Sequence, residues 1–253
     1  MIKYFFTILF SVFILTNVNS QRDVKSEIIG TPWIGIQYGL NNSTNDLKER
    51  FGLLNHLGIL AGYKTKQNWF FGIESNFIFG SQVNANYILD NLRDSYGDIT
   101  DANGNIAITP LFARGFNINA SFGKVIPILS PNPNSGIFIH TGIGYLLHKI
   151  RIESNNQVIP EIELDYKKGY DRLTSGFCSQ QFIGYSYMSN GGFFNWYAGF
   201  YALQGFTKNQ RTIFYDQPDI PVSNTIRKDF SYGFKIGWLI PIYKRKTKDF
   251  YYN

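Results

Sequence analysis

The stretch Phe116-Asn117-Ile118-Asn119-Ala120-Ser121-Phe122-Gly123 decides the fold. Its even positions are apolar or small, and its odd positions are polar or glycine. Successive side chains of a β-strand point to opposite faces, so this period of two describes a strand with one greasy and one polar face.

The same alternation recurs on either side. Ile34, Ile36, Tyr38 and Leu40 oppose Gly35, Gln37 and Gly39; Trp69, Phe71, Ile73, Phe77 and Phe79 oppose Gly72, Glu74, Asn76 and Gly80. Further on, Ile137, Ile139, Ile143, Tyr145 and Leu147 oppose His140, Gly142 and Gly144, and Tyr232, Phe234, Ile236, Trp238 and Ile240 oppose Ser231, Gly233, Lys235 and Gly237. With weaker segments at 51–64, 174–188 and 193–207, the pattern predicts eight strands. The segment 174–188 is the poorest, because Ser179 and Gln181 fall on its greasy face.

Connections separate a barrel from a sandwich. The short ones are 64–68, 127–135 and 189–192, and the long ones are 42–50, 83–108, 153–172 and 208–227. They alternate along the chain, so every long loop falls at one end and every short turn at the other, as in an outer-membrane barrel. The greasy face is too bulky for the interior of eight strands, which is just wide enough for side chains to fill it. The rings must therefore point outward, where only lipid tolerates so much contiguous apolar surface. The predicted class is all-β: a closed antiparallel up-and-down transmembrane barrel. Trp33, Trp69, Trp196 and Tyr243 are candidates for aromatic girdles at its two interfaces.

Composition agrees. The 253-residue chain is 17% aromatic, with 23 Phe, 17 Tyr and 24 Gly. Residues 1–20 have the layout of a secretory signal peptide: Lys3, an apolar run from Tyr4 to Thr16, then Asn17-Val18-Asn19-Ser20. That run is shorter than the ~20 residues of a spanning helix. Residues 21–243 are assigned to the barrel and 244–253 to a basic and aromatic periplasmic tail carrying Lys244, Arg245, Lys246 and Lys248. The net charge of +6 is modest, and no interleaving of basic and aromatic groups suggests a nucleic-acid partner. Cys178 is the only cysteine, which removes disulfides and cysteine metal clusters.

The chain resembles small outer-membrane barrels of the OmpX, OmpW and OmpA-transmembrane-domain type. Its Asn-Ser-Gln around residue 20, its many Asn, Tyr and Phe, and its end WLIPIYKRKTKDFYYN are similar in style to Bacteroidota barrels, including the PorT-like group. That resemblance implies an integral outer-membrane location and, for the PorT-like group, an accessory role in a secretion or surface-assembly machine. It departs from the usual aromatic last residue, which here is Asn253.

Parity places His56, His140 and His148 in the lumen. His140 and His148 are eight residues apart on one strand, more than ~20 Å, too far to share a metal or a proton. Glu74 and Lys235 also face inward. With His56, His140, Asn76, Asn117 and Asn119 they form a predicted polar network that fills the lumen. The alternative is an ion pair that gates a narrow pore. No catalytic, cofactor or metal residue is assigned. A lipid A deacylase needs a His and a Ser two apart on a lipid-facing strand, and His140-Thr141-Gly142 and His148-Lys149-Ile150 lack it. Asp101-x-Asn103-Gly104 hints at calcium, but its glycine does not fall at the sixth position of an EF-hand loop. Tyr166, Lys167, Lys168, Tyr170 and Arg172 mark a long loop suited to contact with a protein partner or with lipopolysaccharide sugars and phosphates, and Arg114 could reach such a phosphate.

The leading reading is a non-catalytic outer-membrane platform touching lipid, lipopolysaccharide and an envelope protein. A narrow OmpW-like channel for small or hydrophobic solutes is the alternative, and a lipid A-modifying enzyme comes third.

Overall fold

The computed structural model describes residues 24–190 and 194–242. The expected signal peptide 1–20, the tail 244–253 and the girdle candidate Tyr243 lie outside these. Strands β1 (Thr31–Asn45), β2 (Leu53–Lys64) and β3 (Trp69–Gly80) are followed by a two-residue pair, β4 (Ile99–Thr100) and β5 (Ile106–Ala107). Then come β6 (Leu111–Ile126), β7 (Gly136–Ile152), β8 (Thr174–Tyr187), β9 (Asn195–Asn209) and β10 (Arg227–Pro241). The order β1-β10-β9-β8-β7-β6-β3-β2 closes on itself, with every neighbour antiparallel. The predicted eight-stranded barrel is therefore what forms. Two strands run beyond their expected ends into the long loops: β1 reaches Asn45 where a loop is expected from residue 42, and β9 reaches Asn209.

The outer wall is greasy. Ile36, Ile59, Ile73, Phe77, Ile143, Ile183, Phe200 and Ile236 are all exposed, Phe200 to 72%. An exposed patch of a few hundred Å² is already large for a soluble monomer, and this belt runs round all eight strands. Among the described residues no helix is long and apolar enough to cross a membrane. Trp69 packs on Phe122 at 5.0 Å with Lys124 over its ring, and Trp196 lies against Tyr185 and Tyr187. Both sit on the outer wall at the short-turn end, where a girdle belongs.

Trp33 does not. It is fully buried inside the barrel, stacked on Phe70 at 5.5 Å and edge-on to Phe138. Phe182 and Tyr197 complete this inner cluster. The expectation that bulky rings all face lipid fails at these positions, and beside Phe70, Phe182 and Tyr197 inward glycines make the room. A Cβ on Gly72 would lie 2.6 Å from the Phe70 ring, and one on Gly237 would lie 2.3 Å from the Tyr197 ring. The inward glycines are the recesses into which inward aromatics fit, the arrangement known as aromatic rescue.

The long loops are folded over the mouth. The β3–β6 connection contains the 3-10 helix Asn86–Leu92 and the β4–β5 pair, and the β7–β8 connection contains the 3-10 helices Pro160–Ile162 and Leu164–Gly169. Their Ile88, Leu89, Ile159, Ile162 and Tyr170 are buried together with Leu47 and Phe51. At the opposite end Asn134 fixes the segment that leads into β1. Its side chain accepts hydrogen bonds from Ile29 N (2.8 Å) and Lys64 Nζ (2.9 Å) and donates to the carbonyls of Val24 and Glu27.

Replacing Gly237 with Val should lower stability by about 1–3 kcal/mol through overpacking against Tyr197. Adding Tyr197→Ala should recover part of that loss. Chemical unfolding in lipid vesicles, read by heat-modifiable gel migration, measures both; an additive double variant would show that Gly237 does not make room for the ring.

Candidate functional site

The lumen is filled in layers. Above the inner aromatic cluster lies a polar layer centred on Glu74. Its carboxylate meets Lys235 Nζ at 2.9 Å and His140 Nδ1 at 3.3 Å, and accepts from Ser121 Oγ at 2.9 Å and Gln37 Nε2 at 3.3 Å. Gln37 also donates to Asn76 Oδ1 at 2.6 Å, Asn76 to Asn117 Oδ1 at 2.9 Å, and Asn117 to Tyr201 Oη at 3.4 Å. Asn119 Oδ1 accepts from Cys178 Sγ at 3.1 Å. The Lys235 ammonium also lies 3.6 Å from the centre of the Tyr201 ring. An ion pair this deep needs further partners for both charges; Glu74 has Ser121, Gln37 and His140 beside Lys235, and Lys235 has the Tyr201 ring beside Glu74.

Of the predicted network, Glu74, Lys235, Asn76 and Asn117 are joined through hydrogen bonds, and His140 joins by its 3.3 Å approach to Glu74; Asn119 is buried beside them but among the described residues its side chain bonds only Cys178. His56 does not join by hydrogen bonding: neither ring nitrogen has a partner among the described residues, and the ring packs edge-on to Tyr201 at 6.0 Å. The predicted network left out Tyr197, Tyr201, Gln180, Gln37 and Ser121. Tyr197 donates to Gln37 Oε1, Tyr201 to Gln180 Oε1, and Gln180 to Ser121 Oγ. Gln37 and Ser121 were legible as polar-face residues. The two tyrosines were not, because both faces of β9 carry rings.

Above this layer Leu54, Ile78, Ala113, Leu146 and Leu203 form an apolar plug with Phe51. The cavity there measures about 10 Å³, about the room one water needs. A charged seal closes the mouth. His148 Nε2 lies 2.8 Å from Asp229 Oδ2, which also accepts from Thr207. Arg227 reaches Glu49 and Asp229. Arg50 donates to the Arg172 carbonyl, Asn209 Oδ1 and Thr174 Oγ1. Burial, with Arg227 nearby, pushes the Arg50 guanidinium down to about 10, so it stays charged at neutral pH. His140 and His148 belong to separate layers, and no group of three potential ligands is placed to hold a metal among the described residues. The Asp101 carboxylate is engaged in closing its own turn, accepting from Asn105 N and Asn103 N, and these bonds hold it below the usual carboxylate range.

The predicted interaction loop divides. Tyr170 and Arg172 are buried and staple the cap: Arg172 bonds Asp216 at 2.5 Å and covers Phe214, while Tyr170 accepts from Asn91 Nδ2 and packs on Tyr215. They are unavailable to an outside partner. Tyr166 stays exposed, and Lys168 pairs only with exposed Asp165. Lys167 and Lys168 line a rim groove of about 1370 Å³ that also includes Arg114, Lys149, Arg151 and Arg211. Arg114 and Lys149 are direct cross-strand neighbours, a juxtaposition of like charges that a sheet disfavours. Arg211 is held by both carboxylate oxygens of Asp171 and Arg151 by Glu153.

Strand order, lipid-facing belt and filled interior define the class: a small, closed, eight-stranded antiparallel barrel of the outer-membrane type. No protein-family model matches the chain, and no curated protein does. Among solved structures it is similar to Ail, the attachment invasion locus protein of Yersinia pestis, solved in complex with the heparin analogue sucrose octasulfate. The TM-score is 0.42 at 8% identity, over 83% of this chain and 99% of that one. It is also similar to the outer membrane protein OprG from Pseudomonas aeruginosa, with a TM-score of 0.37 at 8% identity, over 87% of this chain and 99% of that one. At such identity the likeness is one of fold.

Lys235→Met leaves Glu74 buried without its cation and should cost about 3–5 kcal/mol. Lys235→Met with Glu74→Gln should recover most of it. Guanidinium unfolding in vesicles reads both; a harmless single variant would mean that the pair does not hold the lumen together.

Proposed function

We propose that this chain is an integral outer-membrane protein that neither conducts nor catalyses, and that it works as a rigid platform whose loop end engages other envelope components. The observation that carries this reading is the lumen, occupied layer by layer from the Asn134 turn to the Arg50–Asp229 seal. A solute pathway would have to dismantle the Glu74 layer, the apolar plug and the cap together. The loops, by contrast, are built into a folded surface, as a docking platform requires. The finer role that fits, by the PorT-like resemblance, is an accessory component of a secretion or surface-assembly machine.

Reconstitution in planar bilayers should give no discrete conductance steps; reproducible steps would favour the narrow channel. Affinity purification from solubilised outer membrane should recover a stoichiometric protein partner, and a clean monomer at native abundance would count against the platform.

The rim groove supplies a second contact of that surface. Its cations stand just above the lipid-facing Phe77, which also lines it, so a phosphate on an outer-leaflet glycolipid meets Arg114 and Lys149 while its acyl chains lie on the wall below. Arg114→Gln with Lys149→Gln should lower the phosphorylated glycolipid co-purifying with the folded barrel by about tenfold. Unchanged lipid, quantified by mass spectrometry, would remove this contact from the reading.

A further inference from the structure

The two residues that weakened the sequence pattern, Ser179 and Gln181, do stand on the lipid-facing wall. Ser179 pairs across strands with Gln204, and Gln181 with Ala202 on one side and Thr141 on the other. The row above is the stacked pair Phe177 and Phe206, and the row below is Ile183 and Phe200, all four exposed. The polar cluster thus lies inside the apolar belt, with greasy rows on both sides.

Its hydrogen bonding is incomplete. Gln204 Oε1 accepts from Ser179 Oγ at 2.9 Å and from Gln181 Nε2 at 3.3 Å, and Gln181 Nε2 also reaches Ser179 Oγ at 3.4 Å. Thr141 donates to the Gln180 carbonyl at 3.0 Å. No partner is found among the described residues for the Gln204 amide N–H groups or for Gln181 Oε1. In hydrocarbon there is no water to serve them, and each unmet group is costly. Ala202, Ser179 and Thr141 are also small, so the wall is lower here than at the flanking rings, and small residues with polar ones are what lets membrane segments approach closely.

We infer that this polar notch, formed by Thr141, Ser179, Gln181, Ala202 and Gln204 on β7–β9, is a two-fold interface with a second copy of this chain inside the membrane. The inference rests on the reading of the barrel as membrane-embedded. The chemistry selects a second copy because the notch complements itself. It offers an unmet donor, the Gln204 amide, beside an unmet acceptor, Gln181 Oε1, and it carries no charge. A two-fold axis places each donor against the other copy's acceptor, giving two equivalent bonds, as an isologous contact requires.

The test uses the full chain in native outer membranes. Ala202→Cys, treated with a thiol-reactive cross-linker, should yield a dimer of twice the monomer mass. Ile59→Cys, exposed on β2 across the barrel, should not. The parent chain is a silent background because Cys178 is buried. Gln181→Leu with Gln204→Leu, added to Ala202→Cys, should lower the dimer about tenfold while leaving heat-modifiable migration of the folded barrel intact. Equal cross-linking at Ile59, an undiminished dimer in the leucine variant, or a product containing a different protein would each overturn the interface. If the chain neither fractionates with outer membrane nor shows heat-modifiable migration, the membrane reading fails first and the interface falls with it.

Discussion

Backbone closure is the constraint from which the rest follows. In hydrocarbon an unpaired peptide group has no water to turn to, so a sheet can enter only if its two edges are joined. Here the seam is the pairing of β1 with β10, from Trp33 with Pro241 to Asn45 with Asp229. Eight strands closed in this way leave an interior that side chains can fill, and the sequence fills it. The outward residues then need only be greasy, while the inward ones must fit one another. That asymmetry explains why the outer face tolerates many combinations of Ile, Phe and Tyr while the inner face alternates glycine with large rings.

The interior is an inverted core of a particular kind. The stack runs from the Asn134 turn through the Trp33 aromatic cluster, the Glu74–Lys235 layer and the leucine plug to the Arg50–Asp229 seal. Polar and apolar layers alternate, so each charge is enclosed by groups that either bond it or exclude water from it. Buried ion pairs are poor sources of net stability but strong penalties against misregistration, because a slipped strand strands a charge. Glu74 on β3 and Lys235 on β10 meet across the barrel axis only if every intervening register is right.

Much of this was legible from period-two alternation alone. Parity placed Glu74, Asn76, Asn117, Asn119, His140 and Lys235 inside, and loop lengths sorted the two ends. What parity could not reach is whatever depends on pairing between distant strands. The inward rings of β9 were hidden because Trp196 and Phe200 on one face are matched by Tyr197 and Tyr201 on the other. Trp33 looked like an interfacial anchor because the rings it packs on, Phe70 and Phe138, lie on other strands and leave no local signature. Tyr170 and Arg172 looked like exposed loop residues because their partners Asn91 and Asp216 lie in two other loops. His56, expected in the polar network, instead packs against a ring that the sequence did not place.

The β1–β10 seam also bears on how the chain reaches this state. It joins segments separated by nearly the whole chain, and no earlier strand can stand in for β10. Until that last strand is available, β1 presents an unsatisfied edge and the greasy wall has no finished cylinder to belong to. Such long-range antiparallel topologies fold slowly, and their incomplete forms are prone to aggregate. Until that pairing forms, the open edges of β1 and β10 are free to pair with other copies of the chain, so closure of the seam removes both edges at once.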